Sequence, residues 1–182
     1  MRRVESVGHV SVLPEPRRPG APYRIDLVCL GNICRSPMAD VVLTEQFARR
    51  RGAGPDVEVV SSGTGDWHAG NPMDRRAGAL LTAHGYDASL HRAQQFESSW
   101  LAGSDLVLAM DEDNLADLRS FPDVDDGRVR LFRDFDPHAQ DGDRSVPDPY
   151  YGGDDGFEAV LAIIERTCAH LVELLSRRRA SG

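Results

Sequence analysis

Arg24-Ile25-Asp26-Leu27-Val28-Cys29 runs directly into Leu30-Gly31-Asn32-Ile33-Cys34-Arg35 and then Ser36-Pro37. The first six residues are short, apolar and β-branched, as expected of a parallel strand buried on both faces. Ser36 followed by Pro37 predicts a helix start, with serine at the N-cap and proline at the first helical position. A tight six-residue loop is therefore strung between a strand and a helix. Met38, Val41, Val42, Leu43 and Phe47 continue the helix up to Arg51, where Gly52 and Gly54 end it.

Outward from this unit, strand-like and helix-like segments alternate. Strands are predicted at Val57 to Ser61, Asp105 to Met110 and Val129 to Phe132, and helices at Asp74–His84 and Asp111–Arg119. The last helix carries Phe157, Val160, Leu161, Ile164, Cys168, Leu171, Val172 and Leu175 at helical spacing. Strands separated by helices imply right-handed crossovers and an α/β fold, with a parallel sheet covered on both faces. Ligands of such sheets bind beyond the carboxyl ends of the strands, which is where Cys29 falls.

The 182 residues fit one domain. Residues 1–22 include Pro14 to Pro22, rich in proline and arginine, and are expected to form a mobile extension that buries no core. The domain is placed at residues 23–180. Arg2 and Arg3 precede no continuous apolar stretch, and no run approaches a membrane span, so a cytoplasmic protein with no membrane partner is expected. The net charge of −8 argues against nucleic acid as a partner. All 21 basic side chains are arginine, which excludes lysine Schiff-base chemistry and a lysine-dependent nucleotide loop. Three cysteines do not form a disulfide framework, and Cys29 with Cys34 lacks a second ligand pair for zinc.

Cys29 to Ser36 reads C-x5-R-S. The backbone amides of Leu30, Gly31, Asn32, Ile33, Cys34 and Arg35 can curl into a nest that binds phosphoryl oxygens. The following helix turns its positive end to the same point. Gly31 permits a sharp bend, and Asn32 tolerates the left-handed region. Arg35 can grip two oxygens with its planar fork. The same field favours a thiolate at Cys29, a nucleophile for phosphorus, and Ser36 is placed to hydrogen-bond that sulfur. Thiolate attack expels an alkoxide or phenoxide, so a general acid is needed. Asp148, in Val146-Pro147-Asp148-Pro149-Tyr150-Tyr151, lies in a proline-stiffened loop followed by two aromatics suited to stacking on a phenyl ring. On its own the segment also reads as a turn with Asp148 as turn former; the C-x5-R loop favours the acid.

Cys29–Pro37 together with Asp148-Pro149-Tyr150-Tyr151-Gly152 resembles the low-molecular-weight protein-tyrosine phosphatase family. The likeness runs over about Tyr23 to Arg178 and includes Ser61-Ser62-Gly63-Thr64 with Trp67, His91-Arg92-Ala93-Gln94 and Ala109-Met110-Asp111. It implies a four-stranded parallel sheet and a cysteinyl-phosphate mechanism with no metal and no cofactor. It also implies Cys29 as nucleophile, Arg35 as phosphate clamp and Asp148 as acid. Asn32, Ser62 and His91 are implied as loop supports, and Trp67, Tyr150 and Tyr151 as the pocket rim. Cys34 matches a second loop cysteine, a redox partner for Cys29 under peroxide. The expected partners are a phosphotyrosine-containing protein and a cognate tyrosine kinase, and a monomer is expected. An arsenate reductase would need two further cysteines after the second strand, and residues 62 to 167 hold none. A phosphoarginine phosphatase carries Thr where Ile33 stands, so Ile33 favours an aromatic ester. A phosphotyrosine-binding module would have no use for Cys29 or Asp148.

Overall fold

Burial of Ile25, Leu27 and Val28 on both faces makes β1 (Tyr23–Cys29) an inner strand of a sheet. The computed structural model describes residues 12–50 and 56–178. After β1 come α1 (Arg35–Arg49), β2 (Val57–Gly63), α2 (Arg75–Ala83), α3 (Ser99–Gly103), β3 (Leu106–Ala109) and α4 (Glu112–Arg119). Then follow β4 (Val129–Leu131), a 3-10 turn at Phe132–Phe135 and α5 (Asp154–Arg178). The four strands form one parallel sheet in the order β2-β1-β3-β4, as the alternating pattern predicts.

Strand alternation sorts the core into two layers. Ile25, Leu27 and Cys29 pack with Met38 and Val42 of α1 and Leu161, Ile164 and Cys168 of α5. Val28, Val107 and Ala109 face Leu115 and Leu118 of α4 on the other side. The predicted stripe of α5 is buried throughout, and the helix starts earlier than its apolar residues, at Asp154, where two aspartates complement the positive end. Among the described residues no helix is long and apolar enough to cross a membrane.

Two expectations need correction. The first helix begins at Arg35 with Cys34 as N-cap, and no side chain caps it. Ser36 does not cap because its hydroxyl is engaged with Cys29, Asn32 and Ser62. The helix ends at Arg49; Gly52 and Gly54 lie outside the described residues. Secondly, residues 12–22 are not apart from the core. Leu13 is buried, Tyr23 Oη donates to the Pro14 carbonyl (3.1 Å), and Arg130 donates to that of Val12 (2.9 Å). The Arg17 amide donates to Asp105 at 2.6 Å. Apart from one turn, closed by the Ala21 amide on the Arg18 carbonyl at 3.2 Å, the segment has no regular structure, and its carbonyls suit the arginines at this end of the sheet. Residues 1–11 of the expected extension lie outside the described residues.

Asp136, just past the 3-10 turn, joins that turn to α5. Its carboxylate accepts from Arg166 Nε and Nη2, both at 2.7 Å, from Arg133 Nε (3.1 Å) and from the His138 amide (2.9 Å). Arg133 reaches on to the Ser145 carbonyl at 3.0 Å, so the network steadies the approach to Asp148. Burial opposes ionisation of Asp136, but the bonds from Arg166, the His138 amide and Arg133 outweigh it and lower the pKa from 3.8 to about 2. A carboxylate lowered in this way stabilises the fold above its ordinary value, and the contribution disappears as pH falls through the folded value. Asp136→Asn is expected to lower unfolding free energy at pH 6 by about 2 kcal/mol, with the deficit against wild type closing near pH 2. Denaturant melts at several pH values check this; a pH-independent deficit would contradict it.

Candidate active site

Cys29 closes β1 at its carboxyl end, almost wholly buried, and the chain folds back around its sulfur before entering α1. Sγ lies 3.0 Å from Ser36 Oγ and accepts from the Asn32 amide at 3.3 Å. The turn rests on Asn32, which takes the left-handed conformation with φ of 54°. Gly31 has no positive φ; the bend falls on asparagine. Asn32 Nδ2 donates to Ser36 Oγ (2.9 Å), and its Oδ1 accepts from the Gln94 amide (2.9 Å). Its carbonyl accepts from His91 Nε2 at 2.8 Å. Burial lowers the His91 pKa below 6.5, with Arg92 adding to it and the Asn32 carbonyl opposing. His91 is thus a neutral imidazole with its proton on Nε2.

Ser62 also meets the loop, though by its backbone: its carbonyl accepts from Ser36 Oγ at 3.2 Å. Beside it, Gly63 leaves room for the loop, since a Cβ there would stand 2.7 Å from the Leu30 carbonyl. β2 can approach the loop this closely only with glycine at that position.

Arg35 is buried in the first turn of α1, and its guanidinium is committed to two carboxylates and a carbonyl. Nη2 donates to Asp148 Oδ2 at 2.9 Å, and Nη1 donates to Asp111 Oδ2 at 2.5 Å and to the Val146 carbonyl at 3.2 Å. Burial would lower its pKa, but the sulfur of Cys29 and the two carboxylates raise it. The fork predicted to take phosphoryl oxygens holds carboxylates here. Asp148 is turned by its own loop as well, with Oδ1 accepting from the Tyr150 amide at 3.0 Å.

A cavity of about 300 Å³ opens on this group. Cys29, Ile33, Cys34 and Arg35 of the loop line it, and so does Asp148. Trp67, Tyr150 and Tyr151 line it too; Trp67 and Tyr151 are largely exposed, and the two tyrosines meet edge to face at 4.9 Å. The other residues singled out in the sequence stand behind this lining: Asn32 and Ser36 bond to the Cys29 sulfur, Ser62 to Ser36 and His91 to Asn32. Cys34 is a buried thiol; burial pushes its pKa up to about 12, helped by Asp74, Cys29 and Asp148.

The match to a family profile decides what kind of protein this is: "Low molecular weight phosphotyrosine protein phosphatase" covers residues 24–181. The chain belongs to this family. It is a phosphoric monoester hydrolase of the low-molecular-weight class. The Low molecular weight protein-tyrosine-phosphatase of Streptomyces coelicolor is 46% identical over 152 residues, covering 82% of this chain and 92% of that one. Low molecular weight protein-tyrosine phosphatase A of Mycobacterium tuberculosis is 43% identical over 159 residues, with 87% and 95% covered. Among solved structures, YfkJ from Bacillus subtilis superposes with a TM-score of 0.79 at 30% identity, covering 89% of this chain and 99% of that one.

Sequence reasoning gave no separate role to three residues of this phosphatase. Asp111 appeared only within a motif, although its place just after β3, at the ligand-binding end of the sheet, is a usable signal. His68 lines the cavity against Gly31. Arg76 donates to the Tyr150 carbonyl at 3.0 Å and lies 5.6 Å from the Tyr150 ring, holding the loop after Asp148. Nothing in the local sequence marks either contact.

Asn32→Ala removes two side-chain hydrogen bonds and puts a Cβ residue of poor left-handed tolerance at φ 54°. A loss of about 3 kcal/mol in unfolding free energy is expected, against roughly 1–2 kcal/mol for Asn32→Gly, which keeps the backbone freedom. Equal losses in denaturant melts would assign the whole effect to the side-chain bonds.

Proposed function

We propose that the chain hydrolyses phosphotyrosine in proteins through a cysteinyl-phosphate on Cys29. The observation that carries this reading is that Cys29 Sγ, Arg35 and Asp148 meet in one cavity, with Ser36 Oγ 3.0 Å from the sulfur. In the first step the Cys29 thiolate attacks phosphorus. The S–P bond forms, the bond to the phenolic oxygen breaks, and Asp148 gives that oxygen its proton. The loop amides and Arg35 hold the three non-bridging oxygens. In the second step Asp148 takes a proton from water as the water oxygen attacks phosphorus. The S–P bond breaks, and the leaving thiolate is stabilised by Ser36. Asn32, Ser62 and His91 keep the loop in shape, with no cofactor needed for either step.

Trp67, Tyr150 and Tyr151 offer ring faces to the phenyl group of the substrate, and Ile33 adds an apolar wall. These features favour an aromatic ester over phosphoarginine. The partners that follow are a phosphotyrosine-bearing protein and the kinase that makes it. Cys34, lining the same cavity, is the proposed partner of Cys29 under oxidation: peroxide converts the thiolate to a sulfenic acid, Cys34 attacks that sulfur, and water leaves.

Steady-state turnover of a phosphotyrosine peptide tests the assignment. Cys29→Ser is expected to abolish turnover, and Asp148→Asn to lower kcat roughly 10²- to 10⁴-fold. Phosphoserine and phosphoarginine peptides are expected to turn over more slowly. Activity surviving in Cys29→Ser would overturn the mechanism, and binding of the peptide without turnover would make this a recognition module.

A further inference from the structure

Asp111 takes no part in the reaction just described and does not line the cavity. It stands between β3 and α4, and its two oxygens do different things. Oδ1 accepts from the Asn114 amide at 2.8 Å, which is the ordinary bond of an N-cap. Oδ2 accepts from Arg35 Nη1 at 2.5 Å. Capping needs only one of these. The Arg35 side chain is 3% exposed, and a guanidinium so far from water requires a partner at all times.

Asp148 cannot be that permanent partner. It bonds to Nη2, yet to act as an acid it must carry a proton and face the leaving oxygen. The Nε–Nη2 edge is also the one that can grip two phosphoryl oxygens side by side. Nη1 faces away from this exchange, held by Asp111 and the Val146 carbonyl.

We propose that Asp111 is a positioning residue: it pins Nη1 of Arg35, so that the Nε–Nη2 edge can pass from Asp148 to the phosphoryl group when substrate binds. The inference rests on the phosphatase reading above. Phosphate arriving at Arg35 takes the Nη2 bond from Asp148 and frees that carboxyl to face the leaving oxygen. Asp111 thereby governs phosphoryl affinity without touching the phosphoryl group.

The test uses Asp111→Asn and Asp111→Ser, which both keep an N-cap oxygen and remove the charge. Inhibition by inorganic phosphate is expected to weaken roughly 10-fold or more in both, the loss expected of one charge-assisted bond. A cycle on kcat/KM then separates positioning from general structure. In an Arg35→Lys background, where the fork is already gone, adding Asp111→Asn is expected to cost less than about 3-fold. An unchanged phosphate inhibition constant would overturn the proposal, and so would equal losses in both backgrounds. Turnover by wild type and its loss in Cys29→Ser, measured alongside, test the phosphatase reading separately.

Discussion

The turn between β1 and α1 keeps its shape because Asn32 accepts a left-handed backbone and commits every polar group it has. Its amide goes to the Cys29 sulfur, its carbonyl to His91, its Oδ1 to the Gln94 amide and its Nδ2 to Ser36. These bonds tie the loop to the segment after α2, and Ser36 ties it on to the end of β2. Amides in a free loop would each point to water. Held this way, the loop packs around the Cys29 sulfur beside the first turn of α1, whose positive end favours an anion. The sheet contributes by placing the ends of β1, β2 and β3 side by side, with Cys29 opposite Gly63 and Val28 opposite Ala109.

Charge is handled in a second layer behind that loop. Arg35 enters from α1 and meets carboxylates from two other parts of the chain, Asp111 after β3 and Asp148 in the loop before α5. The acid loop is tethered to β3 by its backbone too, since the Val146 amide donates to the Met110 carbonyl at 2.6 Å. Further out, Asp136 with Arg133 and Arg166 fixes the chain leading into that loop. Each buried charge has an opposite charge against it, as low-dielectric surroundings demand. The arrangement fixes Asp148 beside the cavity by committing the Arg35 fork to carboxylates.

Much of this was legible in the sequence because the relevant signals are local. The apolar run to Cys29, the C-x5-R-S loop and the stripe of α5 each encode structure within a few turns or residues. So the four-stranded parallel sheet agrees with the expectation, and Cys29, Arg35 and Asp148 line one cavity. What escaped depends on contacts between distant segments. Ser36 looked like a cap because serine before proline usually is one, but three tertiary partners claim its hydroxyl. Residues 12–22 looked unable to join a core, yet Leu13 is buried and arginines far along the chain collect the carbonyls of Val12 and Pro14. The five residues of α3 are too few to display a helical period.

Trapping the intermediate tests the central claim most directly. Asp148→Asn, mixed with a phosphotyrosine peptide and quenched in acid within one turnover, is analysed by mass spectrometry of the proteolysed chain. The account predicts one added phosphoryl group on the peptide carrying Cys29, absent from Cys29→Ser treated identically. Release of phosphate in that single turnover with Cys29 never modified would mean that water attacks the substrate directly. The convergence of the loop on the Cys29 sulfur would then need another explanation.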